Sequence, residues 1–376
     1  MFDNDFKTSE TFKLGIFSSN CSGGMTPSTL DDGWEASWDK NLELAQMADK
    51  AGIDFMLPVA RFIGLGGKKD FQGSVLDTIT WATALLAKTE KIKIFTTLHT
   101  SMNHPIIAAK QISTMAQIGK GRVGVNIVAG WNKPEYDALG IHLPKDHPTR
   151  YRYAQEWFDL IKKTWASKEP FDWNGEFFQT KGSYGKPNLL PTPPIFNAAG
   201  SKEGREFALK NSDFLFTFVH LKLEDSCKEV KQLKDEAKTL GKVIKVLTST
   251  HIICRPTEEE AQAEWKRQLE NADLETVQHI LDTLFVFSKA MPPELLASFH
   301  DRIATGFGGL PIVGTPEQVA EGLASLEEAG FSGCALSFFD YTKEFPFFRD
   351  YVMPILKERV VLSSSTEQSH PISKIV

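Results

Sequence analysis

Cysteine is scarce and scattered in this chain of 376 residues. The four cysteines lie far apart and form no Cys-x-x-Cys pair: Cys21, Cys227, Cys254 and Cys334. Zinc sites and disulfide frameworks normally show closely spaced cysteines. The sequence therefore predicts reduced thiols and no metal site.

Runs of basic or of apolar residues are also missing. The net charge is −6, and no cluster of lysine and arginine stands out, whereas a nucleic-acid-binding protein normally has one. No uninterrupted apolar run is long enough to span a bilayer, and the N-terminal stretch MFDNDFKTSE lacks the basic and apolar regions of a signal peptide. We therefore predict no nucleic-acid partner, no membrane partner and a cytoplasmic location.

Short apolar stretches alternate with segments of helical periodicity. Because strands that are apolar on both faces are typical of parallel sheets, eight of them with interleaved helices favour a closed (β/α)8 TIM barrel. An open doubly wound sheet with a helical second domain is the alternative, since alternation alone is common to both. The predicted strands are 12–20, 54–60, 91–99, 122–130, 193–200, 213–220, 243–254 and 333–340, and the clearest helices are 37–52, 78–90, 104–121 and 151–165.

The predicted barrel occupies residues 1–360 as a single domain. Three segments are too long for simple connections and are predicted to be insertions, near 131–150, 166–192 and 257–312. Residues 361–376 form a polar C-terminal tail to which we assign no role.

Function in a parallel barrel collects at the carboxyl ends of the strands. The sequence has no HExxH, GxSxG or Walker motif, and no pair of strand-borne carboxylates. A mouth that is mostly apolar and carries amides favours binding of a planar cofactor whose ring performs the reaction. The residues predicted at the mouth are Ser18, Asn20, Cys21, Val59, Arg61, Thr97, His99, Asn126, Val128, Ala199, Gly200, His220 and 338–340.

Two polar residues at this mouth each allow two interpretations. Asn126 interrupts the apolar run VGVNIVAG, where its amide could satisfy a neighbouring backbone group or bind the edge of a planar heterocycle. Ser201, in NAAGSKEG, could simply cap a helix, or it could hold a phosphate together with the backbone of Gly200. Tyr151 could turn its hydroxyl towards such a phosphate.

Several motifs together resemble one family, the bacterial luciferase-like flavin monooxygenases. The resemblance covers nearly the whole chain and is closest to the branch of pyrimidine and dimethyl-sulfone monooxygenases. The segments that carry it are WDKNLELAQMADKAGIDFMLPVARFIGLGG, GRVGVNIVAGWNKPEY, RYRYAQEWFDLIKKTW, NAAGSKEGREFA, VGTPEQVAEGLASLEEAG and FFRDYVMPIL.

The resemblance implies roles for particular residues. Asn126 would lie beside the pyrimidine edge of the flavin and Thr97 near its reactive N5, with Val59 and Val128 forming the apolar wall. Trp131 would close the substrate side, and Arg61 would hold an anionic or carbonyl group of the substrate or form a structural ion pair; we add His99 for its place at the mouth. The phosphate would be held by Tyr151, Ala199, Gly200 and Ser201.

The resemblance also implies an activity. The enzyme would use reduced FMN and O2 to oxygenate a small heteroatom-containing substrate, such as a sulfone, pyrimidine or amide, with cleavage of a C–S or C–N bond in some cases. A separate NAD(P)H-dependent flavin reductase would supply the reduced FMN, and the chain would form a homodimer or homotetramer. The alternatives are a deazaflavin-dependent dehydrogenase of the same fold and a non-catalytic flavin-binding protein.

Overall fold

The computed structural model describes residues 5–144, 146–198, 200–285 and 293–359. The strands in these residues are β1 (Lys13–Phe17), β2 (Phe55–Leu57), β3 (Lys93–His99), β4 (Val123–Val128), β5 (Phe171–Asn174), β6 (Gln179–Ser183), β7 (Ile195–Ala198), β8 (Phe214–Phe216), β9 (Lys245–Cys254), β10 (Leu310–Gly314) and β11 (Gly333–Ser337). The helices are α1 (Asp5–Thr8), α2 (Trp38–Ala51), α3 (Thr78–Lys88), α4 (Pro105–Ile118), α5 (Lys133–Ala138), α6 (His147–Ala166), α7 (Lys202–Asn211), α8 (Leu223–Thr239), α9 (Glu258–Glu270), α10 (Leu274–Phe285), α11 (Pro293–Gly306), α12 (Pro316–Glu328) and α13 (Tyr341–Phe347), followed by a π-helical turn at Phe348–Val352.

Eight parallel strands close into a barrel. Their order is β9, β11, β1, β2, β3, β4, β7 and β8, and β8 pairs with β9 to close the ring. The predicted TIM barrel is therefore confirmed, and the open doubly wound sheet is wrong because both edges of the sheet are paired with each other. β10 adds a ninth parallel strand along the second half of β9.

Aromatic side chains fill the barrel interior. Phe95 and Phe196 have ring centroids 4.4 Å apart, and Phe196 and Phe214 have theirs 4.7 Å apart. Gly15 and Gly124 make room for these rings, since a Cβ on either would lie 2.2 Å from the ring of Phe55 or Phe95 respectively. The alternation of large and small inward residues packs the interior densely, so ligands can reach only the ends of the barrel.

The amino-terminal end of the barrel is closed by α1. Phe6 inserts beneath the interior cluster, with ring centroids 5.1 Å from Phe214 and 6.2 Å from Phe55. The ammonium groups of Lys13 and Lys93 lie 5.8 and 5.4 Å from the Phe6 ring centroid. Chemistry is therefore confined to the opposite end, where the strands finish.

Short polar residues begin the helices that follow the strands. Ser37, Asp77 and Ser201 each accept a hydrogen bond from a backbone N–H in the first turn of α2, α3 and α7. These N-caps satisfy donors that the helix leaves unpaired and fix where each helix starts, so the loops before them are held close to the strand ends.

The sequence located all eight barrel strands but missed several smaller elements. The segment 166–192 contains the hairpin β5–β6, and 131–150 contains α5. The segment 257–312 contains α9, α10, α11 and the start of β10, which was not predicted. Helix α6 begins at His147, so Tyr151 lies in its second turn. The predicted tail, 361–376, lies outside the described residues.

Among the described helices, none is both long and apolar enough to cross a membrane.

Candidate active site

Thr97 and Asn126 lie side by side at the carboxyl ends of β3 and β4. They are register partners in the sheet, and the Asn126 side-chain amide donates to Thr97 Oγ1 over 3.2 Å. Thr97 Oγ1 in turn donates to the Pro58 carbonyl over 2.6 Å. In the described part of the chain, Asn126 Oδ1 accepts no hydrogen bond and the residue is only half-buried. The nitrogen of the Asn126 side-chain amide is thus fixed by Thr97, whereas its oxygen is available to a ligand.

His99 follows Thr97 on the same face of β3 and is paired in register with Val128. Its Nδ1 lies 2.8 Å from the Tyr136 hydroxyl. Burial, assisted by the nearby positive charge of Arg61, lowers the pKa of His99 to about 3. His99 is therefore neutral at physiological pH and can take part in hydrogen bonding but cannot act as a cation.

The loop after β2 is positioned by Asn20. Its side chain accepts from the Val59 backbone N–H over 3.0 Å and donates to the Val59 carbonyl over 2.8 Å. The neighbouring Cys21 is completely buried, and burial raises the pKa of its thiol to about 12. Cys21 therefore stays protonated and is no nucleophile, whereas Val59 is held half-exposed at the mouth.

Arg61 is buried beside Trp131. Its guanidinium carbon lies 5.1 Å from the Trp131 ring centroid, and Nη2 donates to Gln72 Oε1 over 3.1 Å. Nε and Nη1 are buried and have no hydrogen-bond partner in the described structure. Burial lowers the pKa of Arg61, while the Glu135 carboxylate opposes that shift.

Glu135 and Gln72 are site residues that the sequence interpretation missed. Glu135 is fully buried on α5, and its Oε1 accepts from the Phe62 backbone N–H over 2.6 Å. Its Oε2 is buried without a partner. Gln72 has a left-handed backbone with φ of 56° and donates to the Gly24 carbonyl over 2.9 Å.

Tyr151 and Ser201 meet at the amino-terminal end of α7. Ser201 caps this helix by accepting from the Gly204 backbone N–H over 3.1 Å, and its side chain lies near enough to Tyr151 to oppose part of the rise in the pKa of that hydroxyl. Burial raises the pKa of Tyr151, so its hydroxyl is protonated at neutral pH. Nothing lies within 4 Å of the position of a Cβ on Gly200, which leaves open space above this backbone. Ala199 lies outside the described residues.

These two groups of residues fit the two polar ends of FMN. The hydroxyls of Tyr151 and Ser201, with the open backbone at Gly200 and the start of α7, provide donors suited to a phosphate. The open Oδ1 of Asn126 suits an N–H at the edge of a flavin ring. A cavity of about 110 Å³ lined by Arg61, Thr97 and His99 is too small for such a ring, so the flavin would lie in the open mouth of the barrel.

The sequence also matches a known family along most of its length. A profile of the luciferase-like monooxygenases matches residues 12–333. This chain belongs to the luciferase-like monooxygenase family. Membership agrees with the barrel and confirms the resemblance drawn from the motifs.

Named relatives of the luciferase-like family match the chain almost from end to end. The FMNH2-dependent dimethylsulfone monooxygenase of Pseudomonas putida is 30% identical, over 93% of this chain and 96% of its own. The pyrimidine monooxygenase RutA of Acinetobacter baylyi is 28% identical, over 96% of this chain and 99% of its own. The crystal structure of DmoA from Hyphomicrobium sulfonivorans superposes with a TM-score of 0.80 at 20% identity, covering 93% of this chain and 88% of that one, and supports the fold.

Proposed function

We propose that this chain is an FMNH2-dependent monooxygenase that uses O2 to oxygenate a small heteroatom-containing organic substrate. The observation that carries the proposal is the Thr97–Asn126 pair, with an amide oxygen left open at the mouth of the barrel. The hydroxyl pair of Tyr151 and Ser201 and the names of the relatives point to the same cofactor.

Two groups of residues bind FMN in this proposal. Tyr151, Gly200 and Ser201 hold the FMN phosphate, with Ala199 directly before Gly200 in the sequence. Asn126 and Thr97 orient the polar edge of the ring. When bound, reduced FMN supplies the electrons that activate O2.

Water must be kept from the reacting atoms for oxygenation to compete with simple oxidation of the flavin. Val59 and Val128 form an apolar wall on the inner face of the strand ends, and Trp131 covers the substrate side. His99 is neutral and bonded to Tyr136, so it introduces no charge into this region.

Two further features belong to the proposal. A separate NAD(P)H-dependent reductase supplies the reduced FMN in the cytoplasm, as the family resemblance implies. The chain assembles as a homodimer or homotetramer, as the family resemblance implies.

The decisive experiment is to bind reduced FMN anaerobically and then to mix the complex rapidly with oxygenated buffer while recording the flavin spectrum. We expect tighter binding of reduced than of oxidised FMN, and a transient spectrum that outlives the reaction of free reduced FMN. Tighter binding of a deazaflavin with no reaction with O2 would favour the dehydrogenase, and equal binding of both FMN forms would favour a non-catalytic flavin-binding protein.

Variants at the phosphate end test the predicted contacts. Removing one hydroxyl in Tyr151→Phe or Ser201→Ala is expected to weaken FMN binding roughly ten- to hundredfold, because a hydrogen bond to a charged group contributes about 1.5–3 kcal/mol. Tyr153→Phe is the matched control, since this tyrosine lies on the same helix but packs against the Phe177 and Phe178 rings. An equal effect of all three substitutions would contradict the assignment.

A further inference from the structure

Arg61 and Glu135 are buried groups of opposite charge that lie near each other without pairing. The Glu135 carboxylate stabilises the charged Arg61 guanidinium, yet the described structure contains no direct ion pair between them. Arg61 retains two unpartnered donors, Nε and Nη1, and Glu135 retains one unpartnered acceptor, Oε2. A third unpartnered atom lies close in sequence, the acceptor Oδ1 of the buried Asn132.

Leaving such groups unpaired is costly, because an uncompensated buried charge strongly destabilises a folded protein. Here each group is held in place by other contacts. Arg61 is fixed by Gln72 and by the Trp131 ring, and Glu135 is fixed by the Phe62 backbone N–H. The fold thus holds the two charges without a direct bond between them, so that their free atoms can be completed by a polar group from outside the chain.

That group must accept a hydrogen bond and donate one from adjacent positions. It has to accept from Arg61 and donate to Glu135 or Asn132. A carbonyl oxygen next to an N–H has this arrangement. The net charge of the Arg61–Glu135 pair is zero, so a neutral molecule fits the site better than an ion.

We propose that Arg61, Glu135 and Asn132 form the substrate-recognition subsite and that the substrate is a neutral lactam, amide or ureide with a C=O beside an N–H. This inference rests on the proposed monooxygenase function and names the substrate class of that same site. Arg61 binds the carbonyl oxygen, Glu135 and Asn132 bind the N–H, and Trp131 covers the planar amide.

Sulfones and sulfonates are excluded by the same atoms. A sulfone offers acceptors only, so Arg61 is satisfied but Glu135 is left buried and faces a second oxygen. A sulfonate adds a negative charge beside the Glu135 carboxylate. A site built to bind an N–H discriminates strongly against analogues that lack it, because its own polar atoms then stay unpaired.

Binding to the FMN-loaded full-length protein tests the subsite without turnover. Isothermal titration calorimetry with 2-piperidone, sulfolane and methanesulfonate compares a lactam, a sulfone of similar size and an anion. We expect 2-piperidone to bind at least about tenfold more tightly than sulfolane, which corresponds to a net difference of one hydrogen bond to a charged group, and methanesulfonate to bind most weakly. Equal affinity for the lactam and the sulfone would overturn the proposal.

The Glu135→Gln variant provides a second test of the subsite with the same ligands. Its amide oxygen can keep the bond to the Phe62 N–H, while an NH2 group replaces the free acceptor, so the lactam is expected to lose at least about tenfold in affinity and sulfolane to lose none. Asp137→Asn is the matched control, because this exposed residue on α5 forms its ion pair in the described structure with the exposed Lys133. Equal losses for both ligands in Glu135→Gln would contradict the subsite. Failure of the protein to bind FMN would instead overturn the proposed function.

Discussion

At the residue scale, burial decides which groups at the mouth carry charge. His99 and Cys21 are both completely buried and are both held neutral, the first deprotonated and the second protonated. Arg61 loses much of its hydration as well, but Glu135 favours its charged form. The His99 and Cys21 side chains are therefore unreactive, which suits a site where a bound cofactor performs the chemistry.

The low pKa of His99 predicts a pH dependence of stability. Its pKa in the folded state is about 3, below the ordinary value of 6.5, so below pH 6.5 the unfolded chain binds a proton that the folded chain does not. Its contribution is complete above pH 6.5 and is lost as the pH falls towards 3, on the order of 1 kcal/mol per pH unit. Urea unfolding between pH 7.5 and 5 should show this slope reduced in His99→Gln.

His300→Gln supplies the control for that measurement, because this histidine is exposed and pairs with the adjacent Asp301. We expect it to keep the wild-type slope. The buried His251, whose pKa is lowered to about 4, should leave part of the slope in His99→Gln. An unchanged slope in His99→Gln would show that His99 takes up its proton in the folded protein.

At the element scale, the segment between β4 and α6 is positioned by contacts at both of its ends. Gly130 follows β4 with φ of +109°, and its carbonyl accepts from Arg150 on α6 over 3.1 Å. Tyr136 on α5 is bonded to His99 on β3, so α5 is tied to the strand ends. The positions of Glu135 on α5 and of Trp131 just before it are therefore set by contacts with β3 and α6.

Gly130→Ala should disturb this segment. A Cβ at this position would lie 2.5 Å from the Tyr136 hydroxyl oxygen and 2.6 Å from a methyl carbon of Leu143, and an L residue is strained at this φ. Strain of this kind costs about 1–3 kcal/mol, and the clash adds to it. Urea unfolding measures the free-energy loss, and hydrogen exchange of residues 129–139 should report faster opening.

The matched variant is Gly140→Ala. Gly140 also has a positive φ, +65°, but nothing lies within 4 Å of its added Cβ. Its cost should be confined to backbone strain of about 1–2 kcal/mol. If the two alanine variants lost the same stability, the contact with Tyr136 would not constrain the segment.

At the scale of the whole molecule, the aromatic interior holds the barrel in register. Phe55, Phe95, Phe196 and Phe214 come from four different strands and meet at the barrel axis, with Phe6 beneath them. The separation of the strand ends at the mouth depends on this packing, so the geometry of the site and the stability of the barrel are coupled.

Phe196→Ala should therefore cost about 3–5 kcal/mol of unfolding free energy, the usual range for a fully buried phenylalanine. Phe62→Ala, at a side chain that is 55% exposed, should change it by no more than about 0.5 kcal/mol. Urea denaturation of the two variants makes the comparison. A loss of under 1 kcal/mol for Phe196→Ala would show that the interior rearranges around the cavity.

The sequence by itself determined the class of the fold and the strands that compose it. A strand that is buried on both faces can be recognised from its own residues, without knowledge of its neighbours in the fold. β3 is an example, since all seven of its residues are buried. It also placed Thr97, Asn126 and Tyr151 at strand ends or on the right helix, because those positions follow from strand and helix periodicity.

Only the tertiary structure decided how polar groups pair across the mouth. Gln72 accepts a hydrogen bond from Arg61 within the loop after β2, and Glu135 favours the charged guanidinium from α5, and no local pattern specifies either interaction. The protonation of His99 likewise depends on burial in the folded barrel and on the charge of Arg61, which is remote in sequence. Periodicity is a property of neighbouring residues, whereas desolvation and hydrogen bonding depend on which segments the closed barrel brings together.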